Sequence, residues 1–447
     1  MKLLKKALIT AACAGGVLVA GQAHAANWLM LQGTEKPGQA ARAKVWGFVQ
    51  VQYQNDNSDA NKAGTYIAPK LIGPNLSSQS AFNVNRARIG VRGTGMPLDS
   101  KVNYFLLAEF GNNGITEPGD AFAKLSDASI TLNHIPGARV RTGLFKYPGA
   151  EEGLQAIHVF DWVNFTDVSN QLLLERFPNQ AYTPNIAPQP IPPTTDLQGF
   201  DDSVGAFRDV GIQVFDSFRV GADKSWDLSY ALMIGNGNGL NWSDNNDKKD
   251  IYAYFSAEKV FGGTKGPFRD GMKFLGWSQT GVRSYDGNND GVSENYDRDR
   301  WGVGFKYKQK NWRATTEYMS GDGMIMVGVA NPSFGMGPGA GKPGKPGNGL
   351  LGEASGYYLE GGYRIGNSNF ELDLRYDAYD RLEGDKFEVN FSTWTVGAQY
   401  FFNKKTRATL NYAARDYNAP NFPDGAGPNA QLDGVDGRTS IQLTHIF

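Results

Sequence analysis

"NFELDLRYDAY" (369–379) alternates without a break: Phe370, Leu372, Leu374, Tyr376 and Ala378 share one face of an extended chain, and Glu371, Asp373, Arg375 and Asp377 share the other. Successive side chains of a strand point to opposite faces, so this stretch predicts a strand with one apolar and one charged side. "WTVGAQYFF" (394–402) repeats the pattern, with Trp394, Val396, Ala398, Tyr400 and Phe402 on one face. "RWGVGFKYK" (300–308) sets Trp301, Val303, Phe305 and Tyr307 against Arg300, Lys306 and Lys308. "NRARIGVRG" (85–93) sets Ala87, Ile89 and Val91 against Arg86, Arg88 and Arg92.

Sixteen such segments can be read along the chain, at 44–54, 82–93, 101–111, 124–134, 137–147, 207–217, 224–235, 249–261, 271–285, 298–309, 311–320, 354–366, 368–380, 390–403, 405–417 and 437–447. The facing of 271–285 is the least clear of them. Short connections ("GTGMPLDS", "IPGA", "NKK") alternate with long ones, among them 55–81, 148–206, the Gly/Pro-rich 321–353, and 418–436. Loops sorted in this way, an even strand number and strands of about ten residues or more are the signature of an outer-membrane barrel. A soluble sandwich has no reason to sort its loops. The expected fold is therefore all-β: a 16-stranded antiparallel transmembrane β-barrel.

Composition agrees. No segment after the first 25 residues reaches the about 18–20 apolar residues of a membrane helix. Aromatic residues make up 12% of the chain, and 56 of 447 residues are Gly. Residues 1–25 read as a secretory signal peptide: Lys2, Lys5 and Lys6, an apolar run, then "AHA" at 23–25. The predicted barrel domain is 26–447. The only cysteine, Cys13, lies in the leader, so the mature chain has no disulfide framework and no thiol chemistry. There are 44 Lys and Arg against 45 Asp and Glu, and three of the lysines leave with the leader. This balance does not suit a nucleic-acid binder. His134, His158 and His445 are far apart and lack metal-ligand or triad spacing, so no metal, cofactor or catalytic centre is expected. An enzyme or adhesin built on a barrel is the alternative, and it would need a nucleophile beside a base.

Loop 148–206 is too long to be idle in a compact barrel, and "EEGLQAIHVFDWVNF" (151–165) is too apolar for a solvated tip. Folding into the lumen is the simplest expectation. The loop carries Glu151, Glu152 and Asp161, and they are expected to face Arg86, Arg88, Arg92, Arg139 and Arg141 on the wall across a constriction. Arginine suits such a site because its planar fork pairs with phosphate or carboxylate and keeps its charge. Two readings of the wall arginines stand open: contact with permeating solute, or pairing with carboxylates that stiffen the wall. The inferred lumen as a whole is mixed and leans basic. Trp28 is expected to anchor at an interface, and 27–43 is too short for a plug domain. "DGNNDGVSENYD" (286–297) has the oxygen-ligand spacing of a calcium loop, with Asp where Glu is usual, but Asn, Asp and Gly are also ordinary turn residues.

"NRARIGVRG", "VNYFLLAEFGNN" and "LSDASITLNHIPGARVRTGLFKYPGAEEG", across about residues 82–155, resemble the phosphate-selective porin O and P family of Gram-negative outer membranes. The resemblance implies a homotrimer of sixteen-stranded barrels whose third outer loop folds into each pore. It implies passive diffusion of small hydrophilic solutes with a preference for anions such as phosphate, in contact with outer-membrane lipid and lipopolysaccharide. "SIQLTHIF" (440–447) resembles the closing strand that the barrel-assembly machinery reads, with His445 where an aromatic is usual.

Overall fold

The computed structural model describes residues 28–31, 33–35, 42–59, 79–113, 123–174, 206–240, 242, 244, 246–262, 269–285, 294–325 and 351–447. Sixteen strands follow one another: β1 (Lys44–Asp56), β2 (Ser80–Gly95), β3 (Asp99–Glu109), β4 (Lys124–Leu132), β5 (Arg139–Lys146), β6 (Arg208–Val220), β7 (Trp226–Gly235), β8 (Asp250–Gly262), β9 (Asp270–Tyr285), β10 (Glu294–Gln309), β11 (Trp312–Asp322), β12 (Glu353–Arg364), β13 (Phe370–Arg381), β14 (Val389–Asn403), β15 (Thr406–Asn418) and β16 (Arg438–Ile446). Each pairs antiparallel with its neighbours in sequence, and β1 pairs with β16 from Phe48↔Ile446 to Asp56↔Arg438, which closes the ring. All sixteen expected segments are strands. Among the described residues there are three short α-helices: α1 (Trp28–Leu31) before β1, α2 (Glu151–Leu154) between β5 and β6, and α3 (Asn429–Leu432) between β15 and β16.

The alternation read in 369–379 is the alternation of the wall. Phe370, Leu372 and Leu374 are about half exposed on the outside, while Asp373, Arg375 and Asp377 are buried on the inside. The same holds around the ring, with Ile89, Ile130, Ile212, Leu232, Phe274, Val303, Leu359, Val396 and Leu443 turned outward. An apolar exterior over a polar interior, closed so that no strand edge is free, is the form in which a sheet can cross a bilayer. Inside β1 and β16 the polar face is a ladder of amides and hydroxyls: Gln52 Nε2 donates to Gln442 Oε1 at 2.6 Å and Gln50 Nε2 to Thr444 Oγ1 at 3.3 Å.

Connections alternate in side, and most alternate in length. The rim of short turns holds 96–98, 133–138, 221–225, 310–311, 365–369 and 404–405. The strand ends that 57–79, 110–123, 147–207, 323–352 and 419–437 connect form the opposite rim. The length rule fails at 263–269 and 382–388, which lie on opposite rims and are equally short.

The strand left unclear, β9, turns Lys273, Leu275, Trp277, Gln279 and Arg283 inward and Phe274 outward. Its inner face mixes apolar and charged residues because Leu275 and Trp277 join an apolar cluster with Leu144 and Phe145 of β5, Phe215 of β6, Tyr252 of β8, and Leu154, Val168 and Leu172 of the segment after β5. Trp28 belongs to this cluster too. It is 6% exposed and does not sit at an interface, which corrects the anchoring expectation: the apolar cluster offered the ring more buried contact. The expected signal peptide, 175–205 of the long loop, and 286–293 of the calcium-like motif lie outside the described residues.

Candidate functional site

The interior wall from β2 to β6 is basic. Arg86 is buried and donates from Nη1 to Gln50 Oε1 at 3.1 Å. Arg88 pairs with Glu109 at 2.6 Å, directly across the β2–β3 ladder. Glu109 is fully buried and also accepts the backbone N–H groups of Ala87 and Gly111, each at 2.9 Å. Arg92 pairs with Glu35, which precedes β1, and donates to the Leu31 carbonyl at 3.0 Å. Arg139 lies 3.7 Å from Asp216. Arg141 donates to Thr131 Oγ1 at 3.3 Å and lies over the rings of Phe215 and Phe145. Arg208, which the alternation did not single out, forms a buried pair with Asp127 at 2.9 Å.

The segment that follows β5 starts at a buried staple. Lys146 Nζ donates to the carbonyls of Gly153 at 2.7 Å and Gln155 at 2.6 Å, so its ammonium group holds backbone. From there the segment bonds to interior-facing side chains of β9–β15. Glu151 pairs with Lys273 and with Lys306 at 3.1 Å. Burial pushes the Glu151 pKa up, but the two ammonium groups outweigh it and hold it at about 2. Glu152 accepts the Thr166 hydroxyl at 2.6 Å and lies 3.7 Å from Arg375. Asp161 lies 3.2 Å from Arg313 and 3.7 Å from Arg407. Trp162 Nε1 donates to Glu360 at 2.5 Å, and the Asp167 N–H to Asp377 at 2.9 Å.

These contacts redraw the expected constellation. Glu151, Glu152 and Asp161 engage Lys273, Lys306, Arg313, Arg375 and Arg407, not Arg86, Arg88, Arg92, Arg139 or Arg141. The acids and the β2–β5 arginines thus belong to two separate groups. Arg313 is the hub of the second group, with Asp161, Glu371 at 2.7 Å, Asp373 at 2.5 Å and Glu360 at 3.9 Å around one guanidinium. Four carboxylates around one planar fork form a rigid charged knot, because a buried charge is tolerated only when paired and hydrogen-bonded. Sequence reading missed Lys273, because the face of its strand could not be assigned. The signal that would have found it is the period-2 set Lys273, Gln279, Arg283 on β9.

The histidines lie apart, in a turn, on β16 and in the segment after β5. His134, in the short turn 133–138, lies 2.6 Å from Asp99, and His445 meets Thr406 at 2.9 Å. His158 rests against the Phe48 and Trp46 rings. No group of residues arranged to hold a metal ion occurs among the described residues.

The profile of a family described as "Phosphate-selective porin O and P" matches residues 277–427. No curated protein matches the sequence. Among solved structures the barrel is similar to an anion-selective porin from Comamonas acidovorans, with a TM-score of 0.52 and 14% identity over 92% of this chain and 100% of that one. It is similar to Salmonella typhi OmpF in complex with daunomycin, with a TM-score of 0.54 and 12% identity over 91% and 97% of the two chains. A loop-deletion form of OmpT from Vibrio cholerae gives a TM-score of 0.51 and 10% identity over 91% and 99%. The chain has the fold of a sixteen-stranded porin-type β-barrel.

Proposed function

We propose that the protein is an outer-membrane porin: a water-filled channel for passive diffusion of small hydrophilic solutes, with a preference for anions such as phosphate. The observation that carries the reading is the closed wall with an apolar outside and an interior lined by ionised and amide side chains. Such a lumen stays hydrated, and its fixed charges concentrate counter-ions and repel co-ions. In this reading the segment after β5 is the third outer loop, folded into the lumen as a constriction. Its bonds to β9–β15 support that placement. Solute then passes between the loop and the β2–β5 wall, where Arg86, Arg88, Arg92, Arg139 and Arg141 supply positive charge. Glu151, Glu152 and Asp161 pin the loop to the far wall. The profile match over 277–427 and the likeness to a porin described as anion-selective support the anion preference. An export signal at 1–25, a homotrimeric state, lipopolysaccharide contact and delivery through the barrel-assembly machinery complete the proposal.

Conductance in planar bilayers tests it. The purified protein should give discrete steps in KCl, with a reversal potential displaced toward that of chloride under a salt gradient. Saturable block by low phosphate supports a solute site in the pore, and conductance linear in salt with no block supports general diffusion. No conductance at all refutes the channel.

A further inference from the structure

Residues 28–31 and 33–35 precede the first strand, yet they are tied to the wall on two sides. Trp28, Leu29 and Met30 are buried. Arg92 of β2 pairs with Glu35 and also takes the carbonyls of Leu31 and Thr34, at 3.0 and 3.5 Å. The Glu35 N–H donates to Asn103 of β3 at 3.2 Å. At the other end of the segment the Trp28 ring faces the Lys306 ammonium of β10 at 6.0 Å. β2 and β10 lie eight strands apart in a ring of sixteen, so the segment's two ends reach opposite walls. Arg92 precedes the 96–98 turn by four residues, Asn103 follows it by five, and Lys306 precedes the 310–311 turn by four, which sets this crossing in the short-turn half of the barrel.

We propose that residues 28–31 and 33–35 form a strap across the short-turn end of the pore, and that Glu35 is a selectivity-determining residue because its carboxylate cancels the Arg92 charge at that end. The chemistry is simple. Arg86, Arg88 and Arg92 form a basic row along β2, and Glu35 caps its last member at Nε while two strap carbonyls accept from its Nη2. Arg92 and Glu35 keep 21% and 25% of their side-chain surface in contact with solvent, so the pair faces the aqueous path and its charge is felt by passing ions. The strap narrows the pore and lowers its anion preference together. A segment that merely pads the wall would do the first without the second.

The inference rests on the channel reading, and bilayer recordings separate the two. Wild-type protein without current overturns both. With wild-type current in hand, Glu35→Gln should shift the reversal potential under a KCl gradient further toward chloride, because Arg92 is unmasked. Glu35→Cys should give the same shift, in a mature chain that is expected to carry no other thiol. A sulfonate-bearing methanethiosulfonate reagent should then return the potential toward wild type, and an ammonium-bearing one should drive it further toward chloride. The reagent step compares the same folded molecules before and after, so misfolding of the variant does not enter. Unchanged reversal potentials in both variants, or indifference to the sign of the reagent, overturn the role given to Glu35.

Discussion

Glu151→Gln removes one negative charge from a site where two lysines converge and keeps the size of the side chain. At neutral pH the wild-type carboxyl is ionised, since Lys273 and Lys306 overcome its burial and hold its pKa at about 2. The variant leaves those two ammonium groups without their shared partner, a net gain of one positive charge where the loop meets the far wall, across the loop from the solute path. A unit charge about 10 Å from a permeating ion contributes about 0.4 kcal/mol in water. That energy changes local ion concentration by about two-fold, in opposite senses for anions and cations, so the anion-to-cation permeability ratio should rise by about four-fold at low salt. At 0.1 M salt the Debye length is about 10 Å, and screening reduces the rise to less than about two-fold. The assay is the reversal potential of single channels under a KCl gradient, run near 10 mM and again near 0.1 M. Retention of the fold is checked by the mobility shift between heated and unheated samples. A folded variant with wild-type selectivity at low salt would refute the placement of Glu151 within about 10 Å of the conducting path.

Arg313→Met strands Asp161, Glu360, Glu371 and Asp373 around an apolar side chain; breaking a buried pair costs about 3–5 kcal/mol, so the urea midpoint of refolded barrels should fall clearly. Reversing the basic wall with Arg88→Glu and Arg141→Glu should move the reversal potential toward that of potassium, and an unaltered potential would remove both residues from the conducting surface. The Glu151 carboxyl is more acidic in the folded chain than its ordinary 4.5, so its ionised form favours folding. Its contribution is complete above about pH 4.5 and is lost as pH falls toward 2, and Glu151→Gln should flatten the stability profile across that window.

Period-2 alternation made the barrel legible because the wall separates two solvents: every second residue must suit lipid and the others must suit water, as in 369–379. Closure of the ring by the last strand was implied by the resemblance of "SIQLTHIF" to the closing strand of outer-membrane barrels. The basic row of β2 was also legible, since all three arginines follow the pleat. What alternation could not supply was the partner of each charge. Whether Asp161 meets Arg139 or Arg313 depends on the path of a loop across the barrel, and no local pattern encodes that path. The inward face of β9 was obscured because Leu275 and Trp277 pack against other apolar side chains, and the wet-side rule fails wherever the wall is covered. Trp28 was misread for a similar reason. An aromatic near the start of a barrel suits an interface or an interior cluster equally well, and only the fold decides between them.

The seam between β1 and β16 joins the two ends of the chain. Every other pairing in the wall links neighbours in sequence and can form as the strands become available. The seam must wait for the last strand. Until it forms, two rows of unpaired N–H and C=O groups face the bilayer, each group costing several kcal/mol in hydrocarbon. The last pairing therefore removes both open edges at once, which no earlier pairing does. A chain truncated before β16 would present two adhesive edges to its neighbours. Ring closure thus works as a test of completeness: only a full-length chain can withdraw its own edges from contact with others.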